Sequence, residues 1–243
     1  YYGITQNPEA KDFIIIMQYY KYDLRHYISN NFYNIEWYDK ITLLNPIINA
    51  LNNIHCLSII HRDFHSENIL CNNEYDVVIS DLGISKLSTE ISINENEIYG
   101  IIPYIAPEIL QAQKSNKYIK ASEIYSFGMI MWELMTGRRP FWDQNLDTEL
   151  IIKICDGIRP PINTNAPEGY IELMQLCWHP DPNKRPTTWA IRQLLVTSIS
   201  AESARSLRNR SIFGKRKSVD SDNDENIKNT IIYENGRNEF SSK

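Results

Sequence analysis

Three short motifs hold the residues of this chain whose types could carry out chemistry. In chain order they are His61-Arg62-Asp63 followed by Asn68, then Asp81-Leu82-Gly83, and then Ala106-Pro107-Glu108. A positioned carboxylate can take a proton from a reacting hydroxyl group, and carboxylate and amide oxygens are ligands that Mg²⁺ prefers. Each triplet alone is a weak signal, but all three in this order and at this spacing are not expected by chance.

Together the motifs resemble those of the eukaryotic protein kinase family, most closely its tyrosine-kinase-like serine/threonine branch, over roughly residues 1–197. The resemblance implies an α+β, protein kinase-like fold with a mainly α-helical C-lobe, of which only a hairpin remnant of the β-rich N-lobe is expected here. It also implies an enzyme that transfers the γ-phosphate of ATP to Ser/Thr hydroxyls of proteins, with Tyr as the alternative acceptor. Its cofactors would be ATP and Mg²⁺.

The resemblance assigns roles to the motif residues. Asp63 stands where the family has the carboxylate that orients the acceptor hydroxyl and takes its proton. Asn68 and Asp81 occupy the positions of the magnesium ligands, so Asp81 also belongs to the nucleotide site. His65 stands where serine/threonine kinases often carry a lysine that contacts the transferred phosphate, and Arg62 is the family's usual sign of control by phosphorylation.

Control by phosphorylation would act through the loop at 84–105, where a phosphate could pair with Arg62 and order the loop. The candidate acceptors on that loop are Ser85, Ser88, Thr89, Ser92 and Tyr99. The alternative interpretation is that these are ordinary loop hydroxyls.

The nucleotide is expected to bind at the end of an N-terminal hairpin. By resemblance, Met17 lines the back of the nucleotide pocket, and Gln18, Tyr19 and Tyr20 form the hinge whose backbone groups hydrogen-bond adenine. The alternative is an apolar strand followed by a connector, but the downstream motifs fix the register in favour of the hinge.

Other positions resemble the structural frame of the family. Glu108 is expected to form an ion pair with a buried arginine, Arg185. Glu123 stands where a buried helix normally supplies an aspartate that holds the catalytic loop, and a shifted loop is one expectation from its extra methylene. The usual threonine after Gly100 is Ile101, which is a further departure from the pattern.

The phosphate-gripping parts of the family pattern are missing from these residues. Gly3 is the one glycine ahead of the hinge, so no G-x-G-x-x-G can be present there. Lys11 lies in a predicted hairpin turn rather than on a strand, and cannot be the lysine that holds two phosphates. We therefore expect residues 1–243 alone to show no measurable phosphoryl transfer.

Two interpretations of the missing parts stay open. In the first, the chain is a piece of an active kinase, which the intact motifs and the lack of an initial Met favour. In the second, it is a catalytically dead, kinase-like protein-interaction module, which Pro46, Ile101 and Glu123 favour. An unrelated helical scaffold that mimics the motifs is disfavoured by the motifs themselves.

Apolar periodicity predicts the elements that must position these residues. Strands are expected over 1–6 and 13–18, and short strands within 68–81. Helices are expected over 36–55, with a kink at Pro46, and over 125–135, where an almost wholly apolar run indicates burial on all sides. Further helices are predicted over 146–155, 169–178 and 187–198.

Composition limits the class and the surroundings of the chain. With 42% hydrophobic residues and 23% charged residues in 243, it can bury one core. We divide it into an N-lobe remnant at 1–20, a C-lobe at 21–198 and a disordered charged tail at 199–243. The net charge of −5 gives no reason to expect nucleic-acid binding, and no apolar run is long enough for a membrane span.

The four cysteines have no CxxC spacing, which favours free thiols in a reducing compartment. We therefore expect a cytoplasmic location, with the nucleus as the alternative because of the basic stretch at 215–217. The expected partners are a protein substrate, ATP, and an upstream kinase or signalling partner.

Overall fold

The computed structural model of the chain describes residues 2–89, 98–111, 118–163, 166–167 and 169–197. All described residues belong to one compact unit, which lies within Tyr1–Ser203. The predicted disordered tail, the basic stretch at 215–217 and the candidate acceptor Ser92 lie outside the described residues.

The predicted hairpin at the start of the chain is confirmed. Strands β1 (Gly3–Gln6) and β2 (Phe13–Ile16) pair antiparallel, with Gly3 opposite Ile16. Asn7 closes the turn, because its side-chain oxygen accepts hydrogen bonds from the backbone N–H groups of Glu9 and Ala10. Lys11 lies in this turn with a φ of 62°, as predicted, and every side chain of β2 is exposed.

Two helices follow the hairpin and its connector. The connector ends in β3 (Tyr22–Asp23), and Asp23 caps α1 (Leu24–Asn31) by accepting from the backbone N–H of His26 at 2.8 Å. The predicted helix from residue 36 is α2 (Trp37–Cys56), which buries Ile41, Leu44, Ile48 and Leu51. The helix continues through Pro46, and the kink there stays a prediction.

Short strands hold both ends of the segment that contains the first motif. Strand β4 (Ile59–Ile60) precedes the segment and β5 (Ile69–Cys71) follows it. Strand β4 pairs with β7 (Lys86–Leu87). Strand β5 lies between β3 and β6 (Val77–Ile79) in a three-stranded sheet. Residues 61–68 are therefore a loop fixed at both ends by antiparallel pairing.

The centre of the core is α4 (Lys120–Thr136), which follows the short helix α3 (Pro107–Gln111). Every residue of α4 from Ser122 to Met135 is buried, as the apolar run predicts. It packs closely on α6 (Tyr170–Cys177): a Cβ added at Gly128 would lie 2.9 Å from the Cβ of Cys177. The other two predicted helices are present as α5 (Thr148–Cys155) and as helical backbone over 188–197.

The predicted ion pair between Glu108 and Arg185 is also present. The two terminal guanidinium nitrogens of Arg185 donate to the two carboxylate oxygens of Glu108, each at 2.7 Å. Arg185 donates further to the carbonyl oxygens of His179 and Ala121. Because the side chain of Arg185 is completely buried, this pair is a structural joint between α3 and the segment after α6.

Within the described residues, no helix has the length and apolar character needed to cross a lipid bilayer.

Candidate active site

Three of the predicted catalytic residues form one hydrogen-bonded cluster in the loop at 61–68. The amide nitrogen of Asn68 donates to the backbone carbonyl of Asp63 at 2.8 Å and to its Oδ2 at 3.0 Å. The Nε2 atom of His65 lies 3.2 Å from Oδ1 of Asp63 and 3.1 Å from the same amide nitrogen. Asp63, His65 and Asn68 are thus brought together as the sequence predicts.

The contacts of His65 indicate its tautomer. Its Nδ1 accepts the backbone N–H of Glu67 at 3.2 Å, so a neutral ring carries its proton on Nε2, facing Asp63. With the proton there, the 3.1 Å approach of Nε2 to the amide nitrogen of Asn68 is a contact between two donors and not a hydrogen bond. This Nε2–H is poorly aligned with Oδ1 of Asp63, and that buried oxygen has no well-placed hydrogen-bond donor among the described residues. The polar contact with His65 nevertheless holds the pKa of Asp63 below its usual value, against the opposing effect of burial. Asp63 is therefore an ionised carboxylate whose Oδ1 lacks a well-placed hydrogen-bond donor among the described residues.

Asp81 is joined to this cluster through its neighbour. The backbone N–H and the hydroxyl of Ser80 both donate to the carbonyl of Asn68, at 2.8 and 3.0 Å. The Nε2 atom of His61 lies 2.8 Å from the carbonyl oxygen of Ser80, and ties the start of the loop to the same point. Asp81 follows with a φ of 60°, and its exposed carboxylate accepts the N–H of Gly83 at 3.4 Å.

Glu123 anchors the loop from the buried helix α4. Its Oε1 accepts the consecutive backbone N–H groups of His61 and Arg62, at 2.7 and 2.9 Å. Two successive donors on one oxygen fix the backbone next to Asp63, where Arg62 has a φ of 73°. The longer side chain of Glu123 therefore reaches the backbone groups that the resemblance assigns to an aspartate.

The second oxygen of Glu123 has a partner that sequence reasoning missed. His55, at the end of α2, places Nε2 at 2.7 Å from Oε2 of Glu123, and both residues are buried. The spacing of His55 after Ile48 and Leu51 puts it on the buried face of the helix, and that was the available signal.

Arg62 is enclosed by two tyrosines. Its guanidinium carbon lies 4.6 Å from the ring centroid of Tyr99 and 5.2 Å from that of Tyr118, and its Nη1 is 3.5 Å from the carbonyl of Ile84. The hydroxyl of Tyr118 donates to the carbonyl of Tyr99 and accepts its N–H. These contacts already connect Arg62 to the loop at 84–105, and its pairing with a phosphate stays a prediction.

The predicted hinge residues are largely exposed to solvent. Met17 and Tyr19 are 57% and 82% exposed, Gln18 is exposed, and Tyr20 is half-buried. In the part of the chain that the structure describes, no hydrogen bond or ring contact links any of these four residues to Asp63 or Asn68. The end of the connector is held next to β5, because Asn72, the residue directly after that strand, accepts the N–H of Lys21 at 3.0 Å.

The oxygen atoms near the loop fit a magnesium ion. Asn68 uses its amide nitrogen on Asp63, which leaves its Oδ1 as a neutral oxygen ligand, and Asp81 offers an exposed carboxylate. No group of three or more His, Cys, Asp or Glu side chains suited to a metal ion occurs within the described ranges. Mg²⁺ commonly takes one or two protein oxygens and completes its shell with phosphate and water, so two ligands are enough.

Replacing His65 by Ala is expected to raise the pKa of Asp63, because burial of the carboxyl would remain and the opposing contact would be lost. A carboxyl whose pKa is lowered by folding stabilises the folded state above its unfolded pKa of about 3.9, and loses this contribution as pH falls through the folded value. The His65→Ala variant should therefore be less stable than the parent chain mainly above a pH of about 3.9, where the ionised Asp63 contributes to stability. NMR titration of the Asp63 carboxyl carbon measures the shift directly.

The matched control is His26→Ala, because His26 contacts Asp23 on the surface and not Asp63. An Asp63 pKa that is the same in both variants would contradict the assigned role of His65.

Comparison with known proteins identifies the family. The family model described as protein tyrosine and serine/threonine kinase matches residues 1–195. The chain is 37% identical over 155 residues to an Acanthamoeba polyphaga mimivirus protein whose name describes a serine/threonine-protein kinase/receptor. It is 30% identical over 198 residues to the receptor-interacting serine/threonine-protein kinase 4 of Mus musculus.

The matches cover 61% and 76% of this chain but only 9% and 24% of those relatives. A third relative, a Dictyostelium discoideum protein whose name describes a serine/threonine-protein kinase, is 29% identical over 82% of this chain and 12% of its own length. The chain thus spans less than a quarter of the length of these relatives. The match to the family model nevertheless extends over most of the chain, and confirms the resemblance and the kinase-like α+β fold. The chain belongs to the protein tyrosine and serine/threonine kinase family.

Proposed function

We propose that this chain is the catalytic lobe of an ATP-dependent protein kinase that phosphorylates Ser/Thr hydroxyls of proteins. The observation that carries the proposal is the cluster of Asp63, His65 and Asn68, with Asp81 one residue from its edge. The names of the relatives, all of them serine/threonine-protein kinases, support Ser/Thr over Tyr as acceptor.

Asp63 is proposed to orient the acceptor hydroxyl and to take its proton. Asn68 holds Oδ2, while Oδ1 is the oxygen without a well-placed donor in the described structure. The lowered pKa of Asp63 keeps the group ionised at neutral pH, so it can accept a hydrogen bond from the hydroxyl. A weak base is sufficient because phosphoryl transfer depends mainly on positioning and charge neutralisation.

His65 is proposed to act through Asp63. Its Nε2–H faces the carboxylate, and its Nδ1 is occupied by a backbone N–H, so the ring is held in one orientation. We infer that His65 positions Asp63 and sets its pKa. We do not assign to His65 the phosphate contact of the lysine that commonly stands at this position, because both of its ring nitrogens already face groups of the loop.

Asn68 and Asp81 would hold Mg²⁺, and Met17, Gln18, Tyr19 and Tyr20 would contact the adenine. Bound ATP supplies the phosphoryl group, and Mg²⁺ neutralises charge on its phosphates. The oxygen atoms present fit the metal, as described above. Ahead of the hinge the sequence has no glycine-rich loop, and its one lysine there, Lys11, lies in a turn and not on a strand. The groups that hold the phosphates would therefore have to come from residues outside this sequence.

A protein-interaction module without catalysis is the second candidate. The exposed hinge residues and the position of Lys11 in a turn favour it. The residues encoded ahead of Tyr1 distinguish the two candidates, because a glycine-rich loop and a strand lysine would be present only in the enzyme. A reducing, cytoplasmic location is part of either proposal and is supported by four free cysteines.

The proposed function is tested on a polypeptide in which these residues follow a kinase small lobe, either the native gene product or a fusion. We expect transfer of labelled γ-phosphate from ATP to a Ser/Thr peptide library, and we expect Asp63→Asn to lower the rate by about a hundredfold or more, since a positioned general base contributes about 10²–10⁴. Equal rates for the parent and Asp63→Asn would count against the assignment. His26→Ala serves as the surface control.

A further inference from the structure

A groove lies beside the catalytic loop, between the C-terminal end of α1 and the segment that follows α4. It consists of two adjoining cavities of about 420 and 440 Å³, which share Ser29, Gly137, Arg138 and Trp142. We call it the arginine groove because three arginines line its first cavity: Arg25, Arg138 and Arg139. Cavities of this size can hold several side chains of a bound peptide.

The arginine groove has an excess of cationic donors. The one carboxylate in its lining is Glu133, which is only 2% exposed and already accepts the hydroxyl of Tyr104 at 2.7 Å. Arg25 already pairs with Glu67 through its Nε at 3.4 Å. In contrast, Arg138 and Arg139 form no ion pair with any described residue, and the Nε of Arg139 has no hydrogen-bond partner among them. Guanidinium groups are best satisfied by carboxylates, which accept two parallel hydrogen bonds. The charges therefore favour an acidic occupant over a basic one.

The second cavity adds an aromatic surface next to these charges. Trp142 is 54% exposed, and the guanidinium carbon of Arg138 lies 4.3 Å above its ring. Tyr33 is 98% exposed and lines the same cavity. A large apolar or aromatic side chain could cover these rings, and such contacts commonly dominate the free energy of peptide binding.

The arginine groove is directly connected to the catalytic loop. The Nε of Arg25 lies 3.4 Å from the carboxylate of Glu67, the residue immediately before Asn68. A second connection runs from Glu133 through the Tyr104 hydroxyl, which lies 3.2 Å from the hydroxyl of Ser66. These contacts connect the groove to the catalytic loop at Glu67 and at Ser66.

We propose that the arginine groove binds the segment of the acceptor protein that flanks the phosphorylated hydroxyl, and that it selects segments with Asp or Glu followed by a large apolar residue. The acidic side chains would contact Arg138 and Arg139, and the apolar one would cover Trp142. This proposal rests on the proposed function for the identity of the occupant, but the binding itself requires no phosphoryl transfer.

The test measures binding of fluorescent peptides to the 243-residue chain by anisotropy, without ATP. One peptide contains Asp, Glu and Phe, and its partner carries Lys in place of the acidic residues. We expect the acidic peptide to bind at least about tenfold more tightly, and we expect Arg138→Ala and Trp142→Ala each to weaken it by about tenfold, the effect of one charged hydrogen bond or one aromatic contact. Arg192→Ala, which lies outside the groove, is the matched control and should have no effect.

Equal or tighter binding of the basic peptide would overturn the proposal, and so would an Arg138→Ala variant that binds like the Arg192→Ala control. Since Asp63 takes no part in this assay, its failure leaves the proposed function intact. Conversely, an Asp63→Asn variant that keeps full transfer activity would overturn the proposed function without affecting the binding result.

Discussion

Replacing Glu123 by Ala is expected to lower the free energy of unfolding by about 3–5 kcal/mol, which is the usual cost of removing one partner from a buried polar or charged pair. The side chain is 2% exposed and accepts three hydrogen bonds, from the backbone of His61 and Arg62 and from the ring of His55. Each buried donor left without an acceptor costs about 1–3 kcal/mol. Urea unfolding of the parent and the variant measures the difference.

Two further substitutions make this prediction specific. Glu123→Asp should cost less, about 1–3 kcal/mol, because a shorter side chain can keep the loop backbone or His55 but not both. Glu149→Ala removes an exposed carboxylate that pairs with Lys153 at 2.7 Å, and should change the stability by less than about 1 kcal/mol. If Glu123→Ala were as mild as Glu149→Ala, Glu123 would not be the anchor of the catalytic loop.

The 243-residue chain alone is expected to transfer no measurable phosphate from ATP. Gly3 is the one glycine ahead of the hinge, and Lys11 lies in the turn between β1 and β2 with a φ of 62°. Loss of a single preorganised group that stabilises developing charge typically costs about 10²–10³ in rate. Losing a lysine, its carboxylate partner and a covering loop together should therefore bring the rate below detection.

Transfer of labelled phosphate to a Ser/Thr peptide library measures this second prediction. Asp63→Asn, prepared in parallel, identifies any contaminating kinase, because a contaminant is insensitive to that substitution. Steady transfer by the parent chain that disappears in Asp63→Asn would contradict the prediction. It would also show that Asn68 and Asp81 can bind the nucleotide productively without a phosphate clamp.

The longer elements of the fold could be predicted from the sequence because their apolar residues repeat over several turns. The buried helix α4 and the amphipathic helix α2 are examples. Helix α2 matches its predicted range to within one residue at each end, whereas α4 begins at Lys120, ahead of the predicted start at 125. The two-residue strands β3, β4 and β7 could not be predicted, since a strand that short shows no alternation. Their pairing depends on where the rest of the chain places them.

The same distinction applies to the candidate site. The motif that contains Asp63, His65 and Asn68 is local, so the sequence alone brings these residues together. The partner of Glu123 is distant: His55 lies in another helix, and the contact exists only after α2 and α4 pack. The enclosure of Arg62 by Tyr99 and Tyr118 is equally non-local, and no spacing rule indicates it.

The central claim is that Asn68 and Asp81 form a metal site beside Asp63. Paramagnetic NMR tests it most directly, with Mn²⁺ replacing Mg²⁺ in the presence of ATP and of a polypeptide in which these residues follow a kinase small lobe. We predict that the amide signals of Asn68 and Asp81 broaden first, and that Asp81→Asn abolishes the effect. Broadening centred instead on the acidic surface of Asp143, Asp147 and Glu149, and unchanged in Asp81→Asn, would contradict the account.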